Sequence, residues 1–330
     1  MPASVGLVSV GIFLVMALFA DPGRSATEPN IRIGFQEVDA PVAQLLAQIL
    51  STPRMYNVSL IRVPSWEPTK YVKTLTEERN LFLLDSPTRA GIINAATKAV
   101  GSAGSVPGPT IHAVTLSSYG DKVVDNTTAA RKTWARKVVS AGVTEFQVGQ
   151  SKLLFGAMGL RCIDQTPTAA DSLKCRRNDY WDQPDYLVDR RDGTEAFFVW
   201  GYKCEDNVRR VHQLRPDEFR LIAIPAGMVG RLRERSQLPY VPDQMNVRDC
   251  AQQSLTPINV ATGTLLYTVQ QSTRSPDPRL AAFIADQTGR FLLRSFQRDD
   301  LVAALGAMDS LVPLLPSDAE VYAKLGLLRR

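Results

Sequence analysis

Apolar residues alternate with polar ones at Ile31, Ile33 and Phe35, then switch to the one-face helical spacing of Val42, Leu45, Leu46, Ile49 and Leu50. A strand and an amphipathic helix are predicted, with Asp39 at the helix N-cap and Pro41 in its first turn. Further strands are predicted over residues 58–63, 81–84, 111–116 and 143–148, alternating with helical spacing over 68–78 and 127–140. Strands and helices in alternation argue for a mostly parallel α/β sheet. Residues 196–200 and 219–224 read as two buried parallel strands joined by a crossover, with Gly201 ending the first and Pro225 the second. In such a unit the carboxyl end, here Trp200, Gly201 and Tyr202, opens on the crevice where ligands of open α/β sheets bind. Residues 101–109, GSAGSVPGP, read as a flexible loop, and the polar stretch 164–192 carries no clear element. Near the end, Asp277 caps a helix that starts at Pro278 and aligns Leu280, Phe283 and Ile284, and a second helix is predicted over 299–308.

With 330 residues and 45% hydrophobic content the chain can bury a large core, and its length suggests two domains. The net charge of +5 is spread along the chain without an aromatic-interleaved basic patch, so no nucleic-acid partner is expected. Residues 5–20 are uncharged and apolar and are followed by DPG and the small residues Ser25 and Ala26. This is the form of a secretory segment, although no Lys or Arg precedes it; an uncleaved membrane anchor is the alternative. The remainder is expected on the exported side, in the periplasm. Cys162, Cys175, Cys204 and Cys250 could form two disulfides there, with separation in sequence favouring Cys162 with Cys175 and Cys204 with Cys250. Buried free thiols are the alternative.

Catalytic and metal chemistry find little footing. No GxSxG, P-loop, GxGxxG, HExxH or CxxC occurs, and His112 and His212 are the chain's two histidines. His112 falls in an apolar strand and His212 in an arginine-rich helix, while Asp189, Asp192 and Glu195 read as a solvated loop. Neither an enzyme nor a resident cofactor is expected.

Four passages carry a family likeness: IRIG at 31–34, VTLSSYGDKVV at 114–124, the block running from DGTEAFFVWGY to RLIAIPAG, and VPLLPSDAEVYAKLGL at 312–327. Together they resemble the TAXI family, the solute-binding proteins of TRAP transporters. The resemblance implies a type II periplasmic-binding-protein fold: two lobes, each a mostly parallel sheet flanked by helices, joined by two hinge strands. Residues 1–26 would be the signal segment, 27–116 with 224–330 one lobe, and 117–223 the other, with hinges near 111–116 and 221–224. It further implies a monomer that closes on a small polar solute and delivers it to TRAP membrane subunits. Where the family has glycine-rich turns, this chain has Gln36, Glu37, Val38 and Asp39 in the first lobe and Val148, Gly149, Gln150, Ser151 and Lys152 in the second. Carboxylates at a helix N-terminus satisfy its dipole and repel an anion, which argues against the usual dicarboxylate or amino-acid ligand and for a different solute or a lost binding function. The alternative function is a sensory or assembly protein of the same fold, tethered through residues 5–20, that no longer holds solute.

Candidate ligand contacts follow from these placements. By the resemblance, Tyr119 offers a hydroxyl and ring face to the solute; otherwise it packs at the hinge. Asp85 and Ser86 end a strand at the cleft, or Ser86 simply starts the next helix. Gln36 and Gln150 at equivalent turns could bind one ligand from both sides, with Gly149 and Ser151 as remnants of the second cradle. Solvated turns are the plainer reading. Trp200 and Tyr202 could stack on a ring or cover a cation, against core packing for Trp200. Lys152 could pair with a ligand carboxylate or lie on the surface.

Overall fold

The computed structural model describes residues 30–63, 67–116, 135, 138–142, 145–177, 196–201, 219–246 and 259–328. The apolar segment 5–20 and residues Tyr119, Tyr202, Cys204, His212 and Cys250 lie outside them, as do Asp189, Asp192 and Glu195. No helix among the described residues is long and apolar enough to cross a membrane.

Among the described residues, eleven strands form one sheet. The first group is β1 (Asn30–Phe35), β2 (Asn57–Arg62) and β3 (Leu81–Asp85), all parallel. Two long strands follow across the middle, β4 (Val100–Leu116) and β11 (Asn259–Ser272), paired antiparallel. The second group is β8 (Ala196–Gly201), β5 (Val138–Gly142), β7 (Ser172–Arg177) and β6 (Arg161–Ile163), again mutually parallel. At the junction β9 (Phe219–Ile222) continues along β4 and β10 (Tyr240–Asn246) along β11. The expected mixed α/β architecture of sheet and flanking helices is therefore present.

Helices α1 (Ala40–Ser51), α2 (Pro68–Glu77) and α3 (Pro87–Thr97) cover the first group. One face of β1 and β3 packs Ile31, Ile33, Phe82 and Leu84 with Val42, Leu46 and Leu50 of α1. On the other face Leu83 packs with Tyr71, Leu75 and Ile93 from α2 and α3. That double coverage explains why LFLLD is apolar throughout rather than alternating. Helix α4 (Glu145–Ala157) covers the second group, and α5 (Ala226–Ser236) lies beside it. The chain ends in α6 (Pro278–Ser295), α7 (Arg298–Leu311) and α8 (Pro316–Lys324). Asp277 caps α6 by accepting from the backbone N–H groups of Arg279 and Leu280 at 3.1 Å each.

Three expectations are corrected. The stretch 101–109 is not a loop but the buried first half of β4. Its small residues answer to close neighbours: a Cβ on Gly104 would come within 2.7 Å of Thr288 Oγ1, and one on Gly108 within 2.4 Å of Tyr267 Cδ1. Pro109 falls in an irregular step of the β4–β11 ladder, between Thr264 opposite Thr110 and Leu266 opposite Pro107, where a missing N–H costs little. Of the strand expected over 143–148, residues 145–148 are instead the start of a helix; the strand is β5, which begins five positions earlier, and residues 138–140 belong to it rather than to the helix expected over 127–140. Short apolar runs do not distinguish strand from helix by periodicity. Finally, β8 and β9 are parallel to each other but not adjacent, because each pairs antiparallel with β4 on opposite edges.

Helix α8 brings Asp318 and Tyr322 into the interior, both fully buried. Burial pushes the Asp318 carboxyl up to about 7, against a hydrogen bond from the Ser317 hydroxyl. In the unfolded chain it titrates near pH 4, so between about pH 4 and 7 the folded state holds the extra proton. Stability from this group therefore falls as pH rises through that window. Asp318→Asn is expected to flatten the decline, measured as urea unfolding free energy at pH 5, 6, 7 and 8. An unchanged slope would contradict a buried, titrating Asp318.

Candidate functional site

Strands β1 and β3 pair directly, with Gly34 opposite Leu83, so their carboxyl ends emerge side by side. Gln36 follows β1, before a short 3-10 turn at Glu37–Asp39, and Asp85 ends β3. Ser86 is the N-cap of α3, its Oγ accepting from the Arg89 backbone N–H at 3.4 Å. Asp39 occupies the N-cap of α1, yet its carboxylate caps nothing.

The group that gathers these residues is Arg89, one helical turn beyond Asp85. Its guanidinium donates from Nε to Asp85 Oδ1 at 2.5 Å, from Nη1 to Gln36 Oε1 at 2.7 Å, and from Nη2 to Asp39 Oδ2. Gln36 in turn donates from Nε2 to the Tyr71 hydroxyl at 3.0 Å. Asp85 and Asp39 are buried, whereas the Arg89 side chain keeps 18% of its surface exposed. Among the described residues these partners engage three of its five N–H donors.

The electrostatics are those of a fixed cation. Burial works against the Arg89 charge, but Asp85 and Asp39 outweigh it and hold the guanidinium above its ordinary pKa. Burial pushes Asp85 up to about 7 despite its pairing with Arg89. Burial also raises Tyr71, opposed by the Gln36 hydrogen bond. Glu37, the other carboxylate of the turn, points its charge at exposed Arg62 instead.

Of the sequence-derived candidates, Gln36, Asp85 and Ser86 are thus brought together. Gly149, Gln150 and Ser151 are not in a turn, because they lie within α4. Gln150 is buried with its Oε1 unpartnered, Ser151 is buried, and Lys152 is exposed. No hydrogen bond joins Gln150 to Gln36, whose side-chain partners are Tyr71 and Arg89. Trp200 lies in β8 opposite Ile111, one residue before the buried Gly201 that ends the strand, and His112 pairs with Val199. Cys162 and Cys175, on neighbouring strands β6 and β7, are disulfide-bonded with Cα atoms 5.4 Å apart. Arg89 is the residue that the sequence reading missed. Its signal is a cation in the first turn of a helix, where the dipole disfavours it unless carboxylates hold it.

Strand direction relates the two groups. Strand β11 is antiparallel to both β3 and β4, so β1, β2 and β3 run parallel to β4, with their carboxyl ends toward its second half. Strand β8 and its parallel neighbours run antiparallel to β4, with their carboxyl ends turned back toward its first half. The two carboxyl edges thus face each other across the middle of β4. Asp85 is level with Ser105 through Thr268, and Gly201 is level with Thr110. Five residues of strand separate these levels, about 17 Å.

No family model and no curated protein matches the chain. Among solved structures it is similar to the periplasmic sulfonate-binding protein SsuA from Methylobacillus flagellatus KT, at 9% identity, covering 90% of this chain and 95% of that one, with a TM-score of 0.46. It is similar also to a YaeC-family lipoprotein from Enterococcus faecalis V583, at 10% identity, 80% and 95% coverage and a TM-score of 0.41. A third is the aliphatic sulphonate binding protein SsuA from Escherichia coli, at 11% identity, 90% and 82% coverage and a TM-score of 0.36. At these values the likeness fixes neither a family nor a ligand for this chain.

Proposed function

We propose that the chain is an extracytoplasmic solute-binding receptor that holds a small polar solute between the facing carboxyl edges and passes it to a TRAP-type membrane transporter. The observation that supports this reading is the opposed strand direction about β4, with two carboxyl edges turned toward each other, since ligands of open α/β sheets bind at such edges. Residues 27–116 with 224–330 would form one lobe and 117–223 the other. Residues 111–116 of β4 and the segment around 221–224 would act as hinges. Arg89 and Gln36 supply the first-lobe wall, and Trp200 stands at the edge of the second. This is binding without catalysis. The Cys162–Cys175 bond supports an oxidising compartment, and the TRAP partner rests on the four passages of family resemblance.

A second reading draws on a specific observation: Gln36 and Asp85 are already engaged with Tyr71 and Arg89. A sensory or assembly protein with a self-satisfied cleft would look the same. Thermal unfolding of the purified protein against organic acids, amino acids, polyamines and aromatic compounds separates the two. A ligand at a hundred times its Kd should add about 2.7 kcal/mol, a shift of several degrees. A selective shift is the expected result. No shift from any compound, with the protein folded, would favour the sensory or assembly reading.

A further inference from the structure

Behind the Arg89–Asp85 pair, the sheet carries a row of polar side chains inside its core. Asp85 on β3 is opposite Thr268 on β11, which is opposite Ser105 on β4; two residues along, Gln270 is opposite Ser102. Ser102 and Ser105 are three residues apart and would face opposite sides of a regular strand. An irregular step in the ladder, between the Val269 and Gln270 pairs, takes up Ala103 and returns both serines to one side. A hydrogen bond of 2.9 Å from Thr268 Oγ1 to Ser102 Oγ shows the shared face.

All five side chains are fully buried. Even so, Asp85 Oδ2, Ser105 Oγ and both polar atoms of the Gln270 side chain have no hydrogen-bond partner among the described residues. The Tyr322 hydroxyl accepts from the Ser105 backbone N–H at 3.0 Å. An orphaned buried polar atom forfeits its hydration, and four of them on neighbouring positions of three paired strands are more than a stable core leaves unanswered.

We propose that this row is an internal hydration site, in which ordered water bridges Asp85 Oδ2, Ser105 Oγ and the Gln270 amide. The donor set fits water: a carboxylate oxygen and an amide oxygen accept, the amide nitrogen donates, and a hydroxyl does either. A metal cation fits poorly, because Arg89 already lies on the other oxygen of Asp85. The site is independent of any solute in the crevice and forms the rear support of the Arg89 wall.

A high-resolution crystal structure of the protein is expected to hold solvent within hydrogen-bonding distance of Asp85 Oδ2 and the Gln270 amide; a dry, directly packed row would overturn the proposal. Gln270→Met gives a second reading. If water is bridged there, the substitution strands it and lowers the melting temperature. If the row is dry, removing two unpaired polar atoms raises it, and the proposal fails. Melting in sodium chloride should match melting in choline chloride at equal ionic strength, and a sodium-selective increase would replace water with a bound cation.

Discussion

Replacing Arg89 by Met is expected to destabilise the protein by about 3–5 kcal/mol, because it strands two buried carboxylates, Asp39 and Asp85, without their shared cation. The loss is large against the 5–15 kcal/mol that typically holds a folded protein together. It should be greatest at neutral and alkaline pH and relieved on acidification, since protonation removes the stranded charges. Adding Asp85→Asn to Arg89→Met should recover part of the loss, whereas independent sites would add. Urea unfolding of the two single variants and the double variant measures this coupling. A cost below about 1 kcal/mol for Arg89→Met would show that the cluster is solvated rather than enclosed.

Breaking the Cys162–Cys175 bond is the other large effect. The bond closes a sequence separation of 13 residues between β6 and β7, at the end of the sheet where β6 pairs with β7 as its outermost strand. Closing a loop of about fifteen residues is worth about 3 kcal/mol in the chain-entropy account. The double variant Cys162→Ser, Cys175→Ser should therefore lose about that amount in guanidinium unfolding. Reductant should destabilise the parent protein by more than the variant, by about the amount that the Cys162–Cys175 bond contributes. Equal stability of parent and variant would mean that the edge of the sheet is held by packing alone.

Much of the first half of the fold was legible because its signals are local and agree. In IRIGF followed by the Val42–Leu50 stripe, periodicity, Pro41 and a polar cap residue all point the same way. The stretch 101–109 was not legible, since Gly, Ser and Pro mark loops locally and only contact with Thr288 and Tyr267 makes them a strand. The candidate site shows the same division. Gln36, Asp85 and Ser86 were visible as strand-end polar residues, but Arg89, which binds them into one unit, depends on contacts 50 or more residues apart with Asp39 and Gln36. Gln150 was misplaced because the strand before it ends at Gly142, leaving Gln150 within the helix that follows.

The most direct test of solute capture is calorimetric titration of whichever panel compound stabilises the protein, into the parent and into Gln36→Ala. Gln36 is partly exposed and bridges Tyr71 to Arg89 at the carboxyl edge of β1, so a solute seated there loses both a contact and an ordered guanidinium. The account predicts a single site in the parent and at least a tenfold weaker Kd in the variant, about 1.4 kcal/mol. Unchanged affinity in a folded Gln36→Ala protein would place the solute elsewhere and contradict it.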